Sequence, residues 1–283
     1  MVVARTWRCG RFRVALQPPV VMGILNVTPD SFSDGGSFAG TPAAVARGRA
    51  LVAEGAGIID VGGESTRPGS SEVSSAEEAE RVCPVIERLA GEVDVPISVD
   101  TRHAEVARSA LAAGASIIND VSGFRDPAMV ELAAMSDVGL VVMHMLGEPR
   151  AMQAEPRYDD VVAEVTAYLA GQAAMLVSAG VARERIALDP GIGFGKTTEH
   201  NLALLRGLPE LASLGYPVLV GASRKSVIGA VLGGADPRKR LEGSLAIAAW
   251  SVLNGAHVVR VHDVAATEKV TRMLAAIEQG AGA

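Results

Sequence analysis

Eight short runs along the chain are nearly continuously apolar: residues 20–27, 57–63, 96–101, 116–122, 139–145, 186–191, 217–223 and 258–264. A strand with water on one face alternates apolar and polar residues. A strand covered on both faces does not, so these runs predict the strands of a buried parallel sheet. They recur about every 34 residues, which is room for one strand, one helix and two loops.

The segments between them carry helix signals. Ser75 with Glu78 has the spacing of a capping box, followed by Val82, Ile86 and Leu89 on one face. Thr41-Pro42 and Asp126-Pro127 each place a capping residue before a proline at the first helical position. Gly55 and Gly114 stand where helices should stop. Val161, Val165, Leu169 and Leu176 recur at helical spacing leading into and along the longest uncharged stretch, 165–182, which reads as an amphipathic helix of a soluble protein. Val270, Leu274 and Ile277 repeat the pattern near the end of the chain.

Eight strand–helix units predict an α/β protein with a (β/α)8 TIM barrel, in a single domain over residues 1–283. An open doubly wound sheet is the alternative, but it would show an element out of sequence at its switch point. Trp7 and Phe12, ahead of the first strand, suggest a short hairpin closing the barrel bottom. The longer seventh connection predicts a helix ending near Gly233-Gly234 and an extra one from about Leu241 to Leu253.

Polar groups collect at the C-terminal ends of the runs: Asn26; Glu64 to Pro68; Asp100; Asn119 and Asp120; His144; Asp189; Ser223-Arg224-Lys225; Arg260, His262 and Asp263. One Asp at a strand end is usually a helix cap. Eight ends doing the same point to the face where barrel active sites lie. Asp100, Asn119, Asp189 and Lys225 combine acceptors and a cation suited to a ring with adjacent N–H donors. Arg67, Arg260 and His262, near Asn26, suit a phosphate or diphosphate. Competing readings stand beside these. Asp189 and Lys225 also fit a structural ion pair. His144 fits a supporting or core position better than direct catalysis, His103 and His200 fit the surface, and His257 fits the opposite, stability face.

The net charge of −6 argues against general nucleic-acid binding, and the aromatic content of 4% against a base-stacking platform. Neither bears on a small anionic ligand. Cys9 and Cys83 are too few for a disulfide framework or a zinc site, which points to a reducing, cytoplasmic compartment. The N-terminal arginines are followed by no apolar signal core, and no secretory peptide or membrane span is expected. Two motifs fail. Gly195-Lys196-Thr197 resembles the end of a P-loop, but Pro190 stands where that loop needs glycine; Lys196 likewise breaks a dinucleotide fingerprint begun by Gly191 and Gly193.

Met22-Gly23-Ile24-Leu25-Asn26-Val27-Thr28-Pro29-Asp30-Ser31-Phe32-Ser33-Asp34-Gly35-Gly36 resembles the first signature of the dihydropteroate synthase family, and Asp60-Val61-Gly62-Gly63-Glu64-Ser65-Thr66-Arg67-Pro68-Gly69 the second. The likeness continues through Ser98 to Thr101, Ile118 to Gly123, Asp189 to Phe194, Gly221 to Lys225 and Arg260 to Val264, from Val20 to about Ile277. It implies condensation of 6-hydroxymethyl-7,8-dihydropterin diphosphate with 4-aminobenzoate, giving 7,8-dihydropteroate and diphosphate, a step of folate synthesis inhibited by sulfonamides. It implies a pterin pocket of Asp100, Asn119, Met143, Asp189, Phe194 and Lys225; diphosphate contacts from Asn26, Arg67, Arg260 and His262; Mg2+ at Asn26; and aminobenzoate contacts from Phe32, Thr66, Pro68 and Ser226. Asp100, Asp189, Lys225 and Arg67 are the implied catalytic residues, small molecules the partners, and a homodimer the assembly. The related methyltetrahydrofolate–corrinoid methyltransferases, a Schiff-base aldolase using Lys225, and a pterin-binding paralogue without turnover remain as alternatives.

Overall fold

A computed structural model of the chain describes residues 6–27, 36–64, 73–147, 152 and 156–279, without the side chains of residues 36–39. The eight expected strands form one parallel sheet: β3 (Val20–Asn26), β4 (Ile58–Gly62), β5 (Ile97–Asp100), β6 (Ile117–Asp120), β7 (Gly139–Met143), β8 (Ile186–Asp189), β9 (Leu219–Val220) and β10 (Val258–Val261). Neighbours pair in chain order from β3 to β8, and β10 lies between β9 and β3. A bridge between Leu188 and Val218, with Leu188 N donating to Pro217 O at 2.8 Å, joins β8 to the β9 side and closes the ring. The sheet is a barrel, and no switch point opens it.

Helices cover the outside: α1 (Gly36–Ala53), α2 (Ser75–Glu92), α3 (Ala104–Ala112), α4 (Pro127–Met135), α5 (Val161–Ser178), α6 (Thr198–Arg206), α7 (Leu208–Ala212), α8 (Ser226–Val231), α9 (Leu241–Leu253) and α10 (Val264–Gln279). The two helices expected between the last strands are α8 and α9, with Gly233 and Gly234 at positive φ between them. Asp126 caps α4 by accepting from Ala128 N, with Pro127 first in the helix. By length and composition α5 could cross a membrane, but its stripe of Val161, Val165, Leu169 and Leu176 is buried against the barrel.

Two caps differ from expectation. The residue capping α2 is Ser74, which accepts from Glu77 N; Ser75 is already helical, and Glu78 is turned inward and buried instead of reaching back to the cap. The helix containing Thr41 and Pro42 starts earlier, at Gly36, so Pro42 lies inside α1. Proline lacks an N–H, and α1 forgoes one backbone bond there.

The hairpin is present. The antiparallel strands β1 (Thr6–Cys9) and β2 (Phe12–Ala15) lie across the bottom of the barrel. Trp7 is fully buried among Met22, Ile58, Ile117, Val141, Ala187, Leu219 and Val258, the lower interior side chains of seven strands. Its indole N–H donates to Arg185 O at 2.8 Å, so the ring is buried with its polar atom satisfied.

Candidate active site

Side chains two residues apart on a strand point the same way. The lower interior layer holds Ile58, Ile117, Val141, Ala187 and Val258. Two residues further along each strand stand Asp60, Asn119, Met143, Asp189 and Arg260. The barrel interior therefore changes from apolar to polar within one step, at the C-terminal ends. Asp100 joins from β5, where it pairs in register with Asn119 on one side and Gly62 on the other; Gly62 pairs in turn with Asn26.

Asp60 is the residue that strand-end reasoning misses. It lies within β4, wholly buried, contrary to the expectation that charges avoid strand interiors. Arg260 Nε donates to Asp60 Oδ2 and its Nη2 to Asp100 Oδ2, both at 2.5 Å, and Asn119 Nδ2 donates to Asp60 Oδ2 at 3.2 Å. The available signal was a single charge in the run Ile58-Ile59-Asp60-Val61, which a buried strand tolerates only opposite a cation.

One guanidinium cannot neutralise two carboxylates. Burial pushes Asp100 up to about 7; Arg260 opposes the rise and Asp60 adds to it. Burial also raises Asp189, with Lys225 as the main counterweight. Burial lowers Lys225 to about 8, held up by Asp189 and pushed further down by Arg260. Arg260 itself would be weakened by burial, but Asp60 and Asp100 hold its proton more firmly than in a free arginine.

Lys225 precedes α8. Its Nζ donates to Ile192 O rather than to Asp189, and lies 4.3 Å from the centre of the Phe194 ring. The structural ion pair is thus not formed as a direct contact. Phe194 packs against Val121, Met143, Met145 and Met152, an apolar wall beside the polar layer. Between them runs the loop after β8. Gly191, at φ +66°, donates its N–H to Asp189 Oδ1 at 2.7 Å, and a Cβ there would fall 1.9 Å from His144 O. Only glycine lets this loop come so near the end of β7.

Lys196, the false P-loop lysine, is a buried strut. Its Nζ donates to Gly191 O and Phe194 O at 3.0 and 2.9 Å and meets His144 Nδ1 at 2.9 Å. Burial, helped by the cation beside it, pushes His144 down to about 3, so it is neutral and accepts from Lys196. His144 therefore occupies the supporting position expected of it. His262 sits beside Ser223, with Nδ1 3.1 Å from the hydroxyl oxygen. His257 accepts from Val218 N at 3.1 Å at the opposite end of the barrel, and His200 accepts from Thr197 N at the start of α6. His103 departs from its expected surface place. It precedes α3 with Nε2 enclosed, because α2 packs over it.

Asp100, Asn119, Asp189, Lys225, Arg260, Met143 and Phe194 are thus brought together, with Asn26 beside Gly62 and Ser226 opening α8. Phe32, Thr66, Arg67 and Pro68 lie outside the described residues.

Residues 22–262 match the model of the pterin binding enzyme family. The chain belongs to the dihydropteroate synthase family of pterin-binding enzymes. It is 51% identical to the dihydropteroate synthase of Neisseria meningitidis serogroup C, over 92% of this chain and 93% of that one. The Xanthomonas albilineans synthase solved with 4-aminobenzoic acid superposes with a TM-score of 0.92 at 46% identity, covering 98% of this chain and 99% of that one. The Burkholderia cenocepacia synthase complexed with 7,8-dihydropteroate gives 0.90 at 45% identity, with 99% of each chain covered. The synthase family agrees with what the signatures implied, and the eight-stranded barrel with what the repeat of strands and helices predicted.

Proposed function

We propose that the chain joins 6-hydroxymethyl-7,8-dihydropterin diphosphate to 4-aminobenzoate, releasing diphosphate and forming 7,8-dihydropteroate. The observation that carries this reading is the convergence of Asp100, Asn119, Asp189 and Lys225 around one polar end of the barrel, beside the Met143–Phe194 wall. Its chemistry suits a flat ring with N–H donors on one edge and carbonyl or ring nitrogen acceptors on another. Carboxylates accept from the donor edge, Lys225 donates to the acceptors, and the apolar wall covers a ring face.

The reaction breaks the bond between the pterin methylene carbon and a diphosphate oxygen and forms one between that carbon and the aminobenzoate nitrogen. The leaving oxygen takes the bonding pair, the amine supplies the new one, and the amine proton departs with solvent or diphosphate. Positive groups fixed where the leaving charge develops lower the barrier without moving. Arg260 serves that purpose here, with Arg67 assigned to the same task by its signature, and His262 is assigned a hydrogen bond to the same diphosphate. Asp60 and Asp100 hold the Arg260 guanidinium in place before substrate arrives. Lys225 and Asp189 fix the pterin so that its methylene faces the incoming amine. Thr66, Pro68 and Phe32 are assigned to the aminobenzoate, whose carboxylate is placed at Ser226, in the first turn of α8.

Asn26 offers a hard amide oxygen at the strand end. The missing Cβ of Gly62 leaves Asn26 Oδ1 and Asp100 Oδ2 each 3.8 Å from where that atom would stand. Oxygen donors around a bare glycine fit magnesium, which keeps most of its waters and needs few protein ligands. When bound with diphosphate, the ion would neutralise leaving-group charge.

A homodimer and a cytoplasmic location complete the proposal. Trp250, Leu253, Met273 and Ile277, on the mutually packed α9 and α10, are 48–66% exposed and suit a second copy of the chain. Ile247 of α9 packs against the barrel core, whereas Trp250 and Leu253 are exposed. Sedimentation as a monomer at micromolar concentration would remove the dimer. Unpaired Cys9 and Cys83 suit a reducing compartment.

Incubation with both substrates and Mg2+ tests the reading. Diphosphate and 7,8-dihydropteroate should form in equal amounts, and diphosphate should appear only when 4-aminobenzoate is present. Methyl transfer from a methylated folate to a corrinoid protein, without diphosphate release, would favour the related methyltransferases instead.

A further inference from the structure

Three ligand-type side chains outside the reaction site converge between β4, α2 and α3. Glu64 follows the end of β4, Glu78 lies in the first turns of α2, and His103 precedes α3. One ligand atom from each lies within 4.8 Å of the other two. Glu78 is 1% exposed, and neither of its carboxylate oxygens has a hydrogen-bond partner of good geometry. His103 Nε2 is likewise enclosed and unpartnered.

Two unpartnered ligand groups facing one another inside a protein are costly unless something sits between them. Arg102 has Nε 3.6 Å from Glu64 Oε2, and its charge acts on Glu78 as well. Glu78 is relieved by protonation even so: burial pushes it up to about 7, worsened by Glu64 and Asp100 and only partly opposed by the Thr101 hydroxyl and Arg102. A divalent ion would satisfy all three groups: with metal–ligand bonds near 2.1 Å the ligand atoms of a tetrahedral site lie about 3.4 Å apart, so the cluster would draw in around the ion. Purely oxygen ligands would favour Mg2+ or Ca2+; the imidazole selects a first-row transition ion.

We propose that Glu64, Glu78 and His103 form a binding site for a divalent transition-metal ion, distinct from the position at Asn26. Glu64 immediately precedes Ser65-Thr66-Arg67-Pro68. An ion here ties the root of that signature segment to α2 and α3, so its role is to hold the segment's entry in place, and it takes no part in bond making.

The test is titration of untagged, chelator-treated full-length protein, free of substrates, with Co2+ and with Zn2+. Co2+ should bind at one per chain, with visible absorbance of a low-coordinate site containing nitrogen, and Zn2+ should displace it. His103→Ala alters a half-buried residue at a helix start and should fold; it should weaken Co2+ binding at least tenfold and abolish the absorbance. Glu78→Gln should do the same, whereas Asn26→Ala should bind Co2+ as wild type does. Absence of stoichiometric binding, binding unchanged in His103→Ala, or binding lost in Asn26→Ala would each overturn the site.

Discussion

Asp100 and Lys225 have been moved toward each other across neutrality, the acid up to about 7 and the base down to about 8, both chiefly by burial. If an ionised Asp100 accepts from the pterin edge and a charged Lys225 donates to it, both forms coexist best between those values. The profile of kcat/KM for the pterin diphosphate should therefore be bell-shaped. It should rise as Asp100 loses its proton and fall as Lys225 loses its own. A profile flat from pH 6 to 9 would contradict these roles. Glu78 makes a stability prediction. Its folded pKa, about 7, exceeds its ordinary value of 4.5. The folded state therefore keeps a proton that the unfolded chain releases, and stability is lost as pH rises through that window. In metal-free protein, Glu78→Gln should raise stability at pH 8 by on the order of 2–3 kcal/mol and much less at pH 5. Urea unfolding at the two pH values checks this; an equal effect at both would refute it. Sequence reading named Asp100, Asn119, Asp189, Lys225 and Arg260, because a polar residue ending an apolar run is visible. It missed Asp60, whose place inside a run conflicts with the rule until the interior of the barrel is seen.

The elements follow from local chemistry with few exceptions. Apolar runs became strands, and the glycines at 55 and 114 took the positive φ that ends a helix. Where a boundary shifted, tertiary burial outweighed the local signal. Glu78 left the capping position for the interior, and Ser74 capped α2 in place of Ser75. The seventh strand is the least regular, with two residues in β9 and one further bridge to β8, yet it suffices to close the ring. The N-terminal hairpin does work that its length conceals. Trp7 fills the bottom of the barrel in one buried cluster with side chains from nearly every strand. Trp7→Ala leaves a cavity there and an unpaired carbonyl at Arg185, and should cost about 3–5 kcal/mol in urea unfolding while altering the reaction site little. A loss below about 1 kcal/mol would show that the hairpin is an ornament and not a plug.

At the scale of the molecule, the acidic balance and the anionic substrate are compatible because charge is sorted by position. Carboxylates and cations meet in one layer above an apolar barrel floor, where Arg260 is held by Asp60 and Asp100 and where Lys225 faces Asp189. The (β/α)8 barrel and the chemistry of its mouth were legible because repeat spacing and strand ends are one-dimensional signals. The meeting of Glu64, Glu78 and His103 was not, since three elements must pack before those residues become neighbours. If the polar layer is the pterin pocket, its carboxylates govern the affinity for the pterin. Calorimetric titration of 6-hydroxymethyl-7,8-dihydropterin diphosphate into the protein and into Asp189→Ala measures that most directly. Saturable binding by the wild type and a loss of at least a hundredfold in the variant, with its thermal unfolding still cooperative, is the predicted result; equal affinity in the two would contradict it.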